Sequence, residues 1–143
     1  MPASAFTASG PMLVFDNPAG SLWVVPSDAY VRLHWAPQIC PVLIWQQLLE
    51  QALAELQQRK WHKLLGDQRP LPLFSSENQA WVLLDWLPRA ARAGLRYGAI
   101  VAPQNVLVRL ETAALLRELS AYPLTYQLFS DEASAVAWLT QQS

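Results

Sequence analysis

The chain is short of several things at once. It has a single cysteine, two histidines, five glycines and only 15% charged residues. A lone Cys40 cannot close an internal disulfide, so a reducing compartment is expected. Ten basic residues against eleven acidic ones leave a net charge of −1, with no Lys/Arg cluster and no charged tail. Nucleic-acid binding therefore lacks an electrostatic footprint. No apolar run approaches the roughly 18 residues that a membrane span needs. The N-terminal MPASAFTASGPM lacks both a charged and an apolar segment of the secretory kind. By elimination, a cytoplasmic location is expected. With so few glycines there is no Gly-rich phosphate loop, and neither a G-x-S-x-G elbow nor an H-E-x-x-H helix occurs. His34 and His62 have no Cys, Asp or Glu at ligand spacing, so neither a metal nor a cofactor is expected.

What is abundant is apolar. Hydrophobic residues make up 52% of the 143, including seven Trp and four Phe. A chain of this length forms one domain with a sizeable core. We read residues 1–11, with Pro2, Gly10 and Pro11, as a loose tail and residues 12–143 as a single domain.

The body opens with three β-rich runs, 12–16, 22–25 and 30–35, separated by Asn17-Pro18-Ala19-Gly20 and Pro26-Ser27-Asp28. In the third, Val31, Leu33 and Trp35 alternate with Tyr30, Arg32 and His34, the period of a half-buried strand. The period then changes. Trp45, Leu48, Leu49, Ala52, Leu53 and Leu56 form the stripe of an amphipathic helix opened by Pro41. Residues 63–67 read as a short buried strand. A stiff loop with Pro70 and Pro72 leads to a helix over 76–93. Ser76 and Gln79 fit a capping box there, Asp85 and Arg89 an i,i+4 pair, and Gly94 a left-handed cap. Ala80, Trp81, Leu84, Leu87 and Ala91 are predicted to face inward, with a bend at Pro88. A strand over 97–102 and a helix over 105–121, in two pieces, come next. A strand over 125–129 and a final helix capped by Ser130 close the chain. Ala135, Trp138 and Leu139 are that last helix's predicted anchors. The order β-β-β-α-β-α-β-α-β-α predicts an α/β fold with an antiparallel start and a parallel βα half.

Three stretches carry a resemblance: KLLGDQRPL at 63–71, NQAWVLLDWLPRAARAGLRYGAIVAP at 78–103 and YQLFSDEASAVAWL at 126–139. In that order they resemble SpoIIAA-like (STAS-like) bacterial proteins, and more narrowly the small single-domain members common in Bacteroidetes. The resemblance covers roughly residues 12–141. It implies a mixed sheet with helices stacked along it, and a non-catalytic interaction or regulatory role. Well-understood relatives antagonise anti-sigma factors and are switched by phosphorylation of a Ser at a helix start. Those proteins carry an Asp-Ser pair directly after the strand. This chain has Asp67-Gln68-Arg69 instead, and its serines, Ser75 and Ser76, come later.

Candidate site residues follow from position. Asp67 and Arg69 stand at the C-terminal end of a parallel strand, where α/β proteins bind ligands, although an ion pair holding the loop explains them as well. Ser75 and Ser76 lie at a helix start, as caps or as an anion site. Seven Trp are hard to bury together, so Trp35 and Trp86 are candidates for an exposed aromatic surface that meets a partner. Three functions are weighed: an interaction module acting on a partner protein or as a homodimer, a binder of a small apolar or lipid-like ligand, and an enzyme built on the Asp67/Arg69 loop.

Overall fold

The computed structural model describes residues 10–72 and 75–142. Most of the loose tail expected over 1–11 lies outside the described residues. Six strands form one sheet in sequential order. They are β1 (Met12–Asn17), β2 (Gly20–Val25), β3 (Tyr30–Trp35), β4 (Lys63–Asp67), β5 (Tyr97–Val101) and β6 (Thr125–Phe129). β1–β2 and β2–β3 are antiparallel; β3–β4, β4–β5 and β5–β6 are parallel. The expected antiparallel start and parallel half are therefore both present. A register shift between Leu13 and Phe15 makes a bulge in the edge strand β1, a device that twists an edge away from further pairing.

The helices are α1 (Val42–Arg59), α2 (Ser76–Trp81), α3 (Leu87–Ala93), α4 (Val106–Arg117) and α5 (Glu132–Gln141). A π-helical turn, Val82–Trp86, joins α2 and α3 into one rod, so four helical rods flank the sheet. The strand order never reverses. Crossovers of a single hand therefore stack α1, α2–α3 and α4 on the same face, where Leu33, Leu48, Trp86, Val108 and Leu119 share one large core. Among the described residues, only α5, which follows the last strand, covers the opposite face. There Ala135 and Leu139 pack on Leu65, Ala99 and Val101.

The stripe read for α1 is the one that is buried: Trp45, Leu48, Leu49, Ala52, Leu53 and Leu56. Pro41 stands at its N-cap and Lys60 ends it in a left-handed conformation. Trp45 stacks on Trp35 with ring centroids 4.8 Å apart and planes 20° from parallel. Gly94 caps α3 at φ 115°, as its position predicts. Gly98 meets a different demand: a Cβ there would lie 2.4 Å from the Tyr126 ring, which fills that space from β6.

Three local readings need correction. The cap of α2 is Ser75, whose Oγ accepts the Asn78 N–H at 3.1 Å; Ser76 is the first helical residue, and the Gln79 amide reaches Glu111 on α4. A one-residue shift in the other direction occurs at α5, where Asp131 rather than Ser130 accepts the Ser134 N–H. Ser75→Ala is therefore expected to lower stability by about 1 kcal/mol while Ser76→Ala leaves it nearly unchanged; paired urea midpoints check both.

The second correction concerns the rod's inward face. Leu84, predicted inside, is 72% exposed; Leu87 is buried as predicted, and Trp86 and Ala90 are buried with it. The face is already turned ahead of the π turn, since Ala80, also predicted inside, is exposed and Asn78 is buried. The Leu87 N–H bonds to the Val82 carbonyl, five residues back, and the extra residue rotates every later side chain relative to α spacing. It also accommodates Pro88. In this register the Leu83 carbonyl faces position 88, which has no N–H, and the Tyr122 hydroxyl donates to it at 3.3 Å.

Third, Trp138 does not sit inside. It lies half-buried against Phe129 and Tyr97, with centroids 5.7 and 6.3 Å away, while Ala135 and Leu139 anchor the helix.

Candidate functional site

Side chains alternate along a strand, so β3 sends Val31, Leu33 and Trp35 into the large core and Arg32 and His34 to the other face. The parallel register sets His34 beside Asp67 on β4, and the antiparallel register sets it opposite Ser21 on β2. The first turn of α5 brings Glu132 over the same spot. The result is a charged network of five residues at the C-terminal end of β4.

Asp67 is its centre. It is only 4% exposed. Its Oδ1 accepts the Arg69 backbone N–H at 3.2 Å and the Arg69 Nε–H at 2.9 Å. Its Oδ2 accepts Arg69 Nη2 at 2.7 Å and faces His34 Nδ1 at 3.2 Å. Glu132 takes Arg69 through one oxygen, at 3.4 Å, and Arg32 through the other. Burial works to raise the Asp67 pKa. The hydrogen bonds from Arg69 and His34 outweigh it and hold the carboxyl well below the usual carboxylate range. The same pairing raises the Arg69 guanidinium.

Asp67 and Arg69 thus sit together, as their two-residue spacing predicts, and they bond to each other. Arg32, His34 and Glu132 join them. The sequence reading missed that company. The signal was present in part: strand alternation puts Arg32 and His34 on one face, but not which neighbour that face meets.

Ligand atoms of His34, Asp67 and Glu132 lie within 4.8 Å of one another. This is metal-ligand proximity, contrary to the isolation expected of His34. Yet all four carboxylate oxygens already accept bonds from Arg69, His34 or Arg32. Two guanidiniums offset the two carboxylates. A divalent ion would have to displace both, so the donor set does not fit a resident metal.

The remaining candidates lie elsewhere. Ser75 and Ser76 start α2 and do not enter this network. Trp35 and Trp86, proposed as exposed aromatics, are 6% and 2% exposed. Trp35 is covered by Trp45, and the Trp86 indole donates to the Leu49 carbonyl at 2.8 Å. His62 bonds the Gly94 carbonyl through Nδ1 at 2.8 Å.

What is exposed is the sheet half that α5 does not reach. Pro11, Ser21, Trp23, Arg32 and His34 line an open groove of about 630 Å³ there. Met12 and Leu13, on the adjoining edge strand, are 38% and 49% exposed. A second apolar patch, Val106, Leu107 and Leu110, lies on the outer side of α4. An apolar space under the three-helix face, between Leu33, Trp86, Leu116 and Tyr126, holds about 80 Å³, and a second, beside Trp35, Cys40 and Asn78, about 110 Å³. Among the described residues, no helix is long and apolar enough to cross a membrane. The chain matches no family model, and no curated protein or solved structure matches it.

Proposed function

We propose that the protein is an interaction module of SpoIIAA-like (STAS-like) type that meets a partner protein through the bare half of its sheet. One observation carries the reading. Among the described residues, a sheet covered on one face by α1, α2–α3 and α4 has only α5 on the other, which leaves Leu13, Trp23, Arg32 and His34 lining an open surface. Apolar and aromatic groups ringed by Arg and His are the composition that concentrates binding energy at protein interfaces. The resemblance in sequence supports the same class.

The other readings draw less support. A lipid-like ligand needs a pocket of roughly 300 Å³ or more, and the apolar space beneath the helices holds about 80 Å³. Asp67 and Arg69, the basis for an enzyme built on their loop, are engaged with each other. β4 also lacks the reversal of strand order at which ligand crevices open in doubly wound sheets.

Leu13→Asp and Trp23→Asp are expected to abolish recovery of the partner, or dimerisation measured by native mass spectrometry, with little change in melting temperature. Leu110→Asp, on α4, is expected to leave binding intact. Binding lost in the α4 variant and kept in the other two would move the interface to that helix.

A further inference from the structure

Three side chains on adjacent strands stand in one row. Ser21, His34 and Asp67 are register partners across β2, β3 and β4, on the same face of the sheet. Each end of the row has a defined state. Asp67 is buried and faces His34 Nδ1 at 3.2 Å. That carboxylate accepts only, so the neutral imidazole carries its proton on Nδ1 and has its lone pair on Nε2. On this face an open groove runs over β2 and β3. Ser21 lines that groove beside His34. Directly opposed residues of an antiparallel pair have Cβ atoms about 4.5–5.5 Å apart, within reach of a Ser–His hydrogen bond after a change of rotamer. The Ser21 oxygen already accepts the Trp23 indole N–H at 3.0 Å, and that bond leaves the hydroxyl proton available to donate.

We propose that this row is an acyl-transfer site acting on small apolar or aromatic esters, with Ser21 as nucleophile, His34 as general base and Asp67 as the residue that positions the imidazole. The Ser21 Oγ attacks the ester carbonyl while its proton passes to His34 Nε2. The carbonyl electron pair moves onto oxygen, where the Trp23 N–H, released from Ser21 by the rotamer change, is a donor. Collapse breaks the bond to the alcohol, which leaves with the proton from His34. Water then attacks the acyl-serine, gives its proton to His34, and the second collapse frees the carboxylic acid and returns the proton to Ser21. One oxyanion donor in place of the usual two predicts slow turnover. Trp23 and the groove provide an apolar wall for the acyl or aromatic group. This inference rests on the register row and not on the partner-binding reading, which stands or falls separately.

The test uses the full chain, p-nitrophenyl acetate at neutral pH, and an alkyl fluorophosphonate followed by intact-mass and peptide analysis. The expected result is hydrolysis above the buffer rate and a single phosphonyl adduct on Ser21. Ser21→Ala should lose the adduct and at least tenfold of the rate, and His34→Gln should lose both to a similar degree. Melting temperatures, measured alongside, should stay near the parent value. Asp67 is left intact because it also holds the network. Hydrolysis retained in Ser21→Ala would make His34 or a contaminant the nucleophile and overturn the proposal. So would the absence of both adduct and turnover in the parent chain.

Discussion

Trp86→Ala is expected to destabilise the fold by about 3–5 kcal/mol, the largest loss of any single aromatic truncation among the described residues. Two losses combine. Trp86 is 2% exposed at the centre of the three-helix core, so its removal leaves a void beside the apolar space it already lines with Leu33, Leu87 and Leu116. Its indole also donates to the Leu49 carbonyl across the α1 interface, and truncation would strand that carbonyl in an apolar setting. Trp86→Phe separates the terms: it keeps most of the volume and loses the hydrogen bond, and should cost clearly less. Trp138→Ala, half-buried on the other face, should cost less than Trp86→Ala. Chemical denaturation of the variants checks the order. If Trp138→Ala proved the costlier of the two truncations, the assignment of the main core would be wrong.

Asp67→Asn is expected to cost about 2–3 kcal/mol at neutral pH, less than a fully buried pair because Arg69 is partly exposed. The change leaves the Arg69 guanidinium without its carboxylate and turns one acceptor toward His34 into a donor. Arg69→Gln should cost less, and the double variant less than the sum, because both singles break one interaction. The pH dependence follows in sign. The Asp67 pKa is lower in the folded chain than in the unfolded one. Its contribution is therefore complete above the unfolded value, about 3.9, and is lost as pH falls from there toward the folded value. The parent chain should lose stability on acidification below about pH 4, and Asp67→Asn should show a shallower slope there. Equal acid slopes for parent and variant would show that Asp67 is not held in this way.

Both predictions turn on where local pattern gives way to packing. The amphipathic stripe of α1, the alternation of β3, the left-handed cap at Gly94 and the change from antiparallel to parallel strands are legible because each depends on residues a few positions apart. The Asp67–Arg69 pair is legible for the same reason: two residues on an extended chain share a side. The π turn at 82–86 is not. A single extra residue in the helical register leaves composition unchanged, and its sole marker, Pro88, reads equally as a bend. Nor is the rod's buried face legible: it takes Asn78, Trp86 and Ala90 and leaves Ala80 and Leu84 outside. The serine caps missed by one position are a smaller case, since Ser75 and Ser76 are chemically equal and only backbone geometry chooses between them.

By itself, then, the sequence determined the order and kind of the elements, the faces of most of them, and the pairing of Asp67 with Arg69. Tertiary structure alone decided the company that pair keeps. His34 and Ser21 come into line with Asp67 through strand register, and Glu132 through the return of α5 to the face the other helices leave bare. Register and layer depend on contacts between residues 13 to 100 positions apart in the chain, and no local periodicity encodes which strand, or which end of it, a side chain will meet.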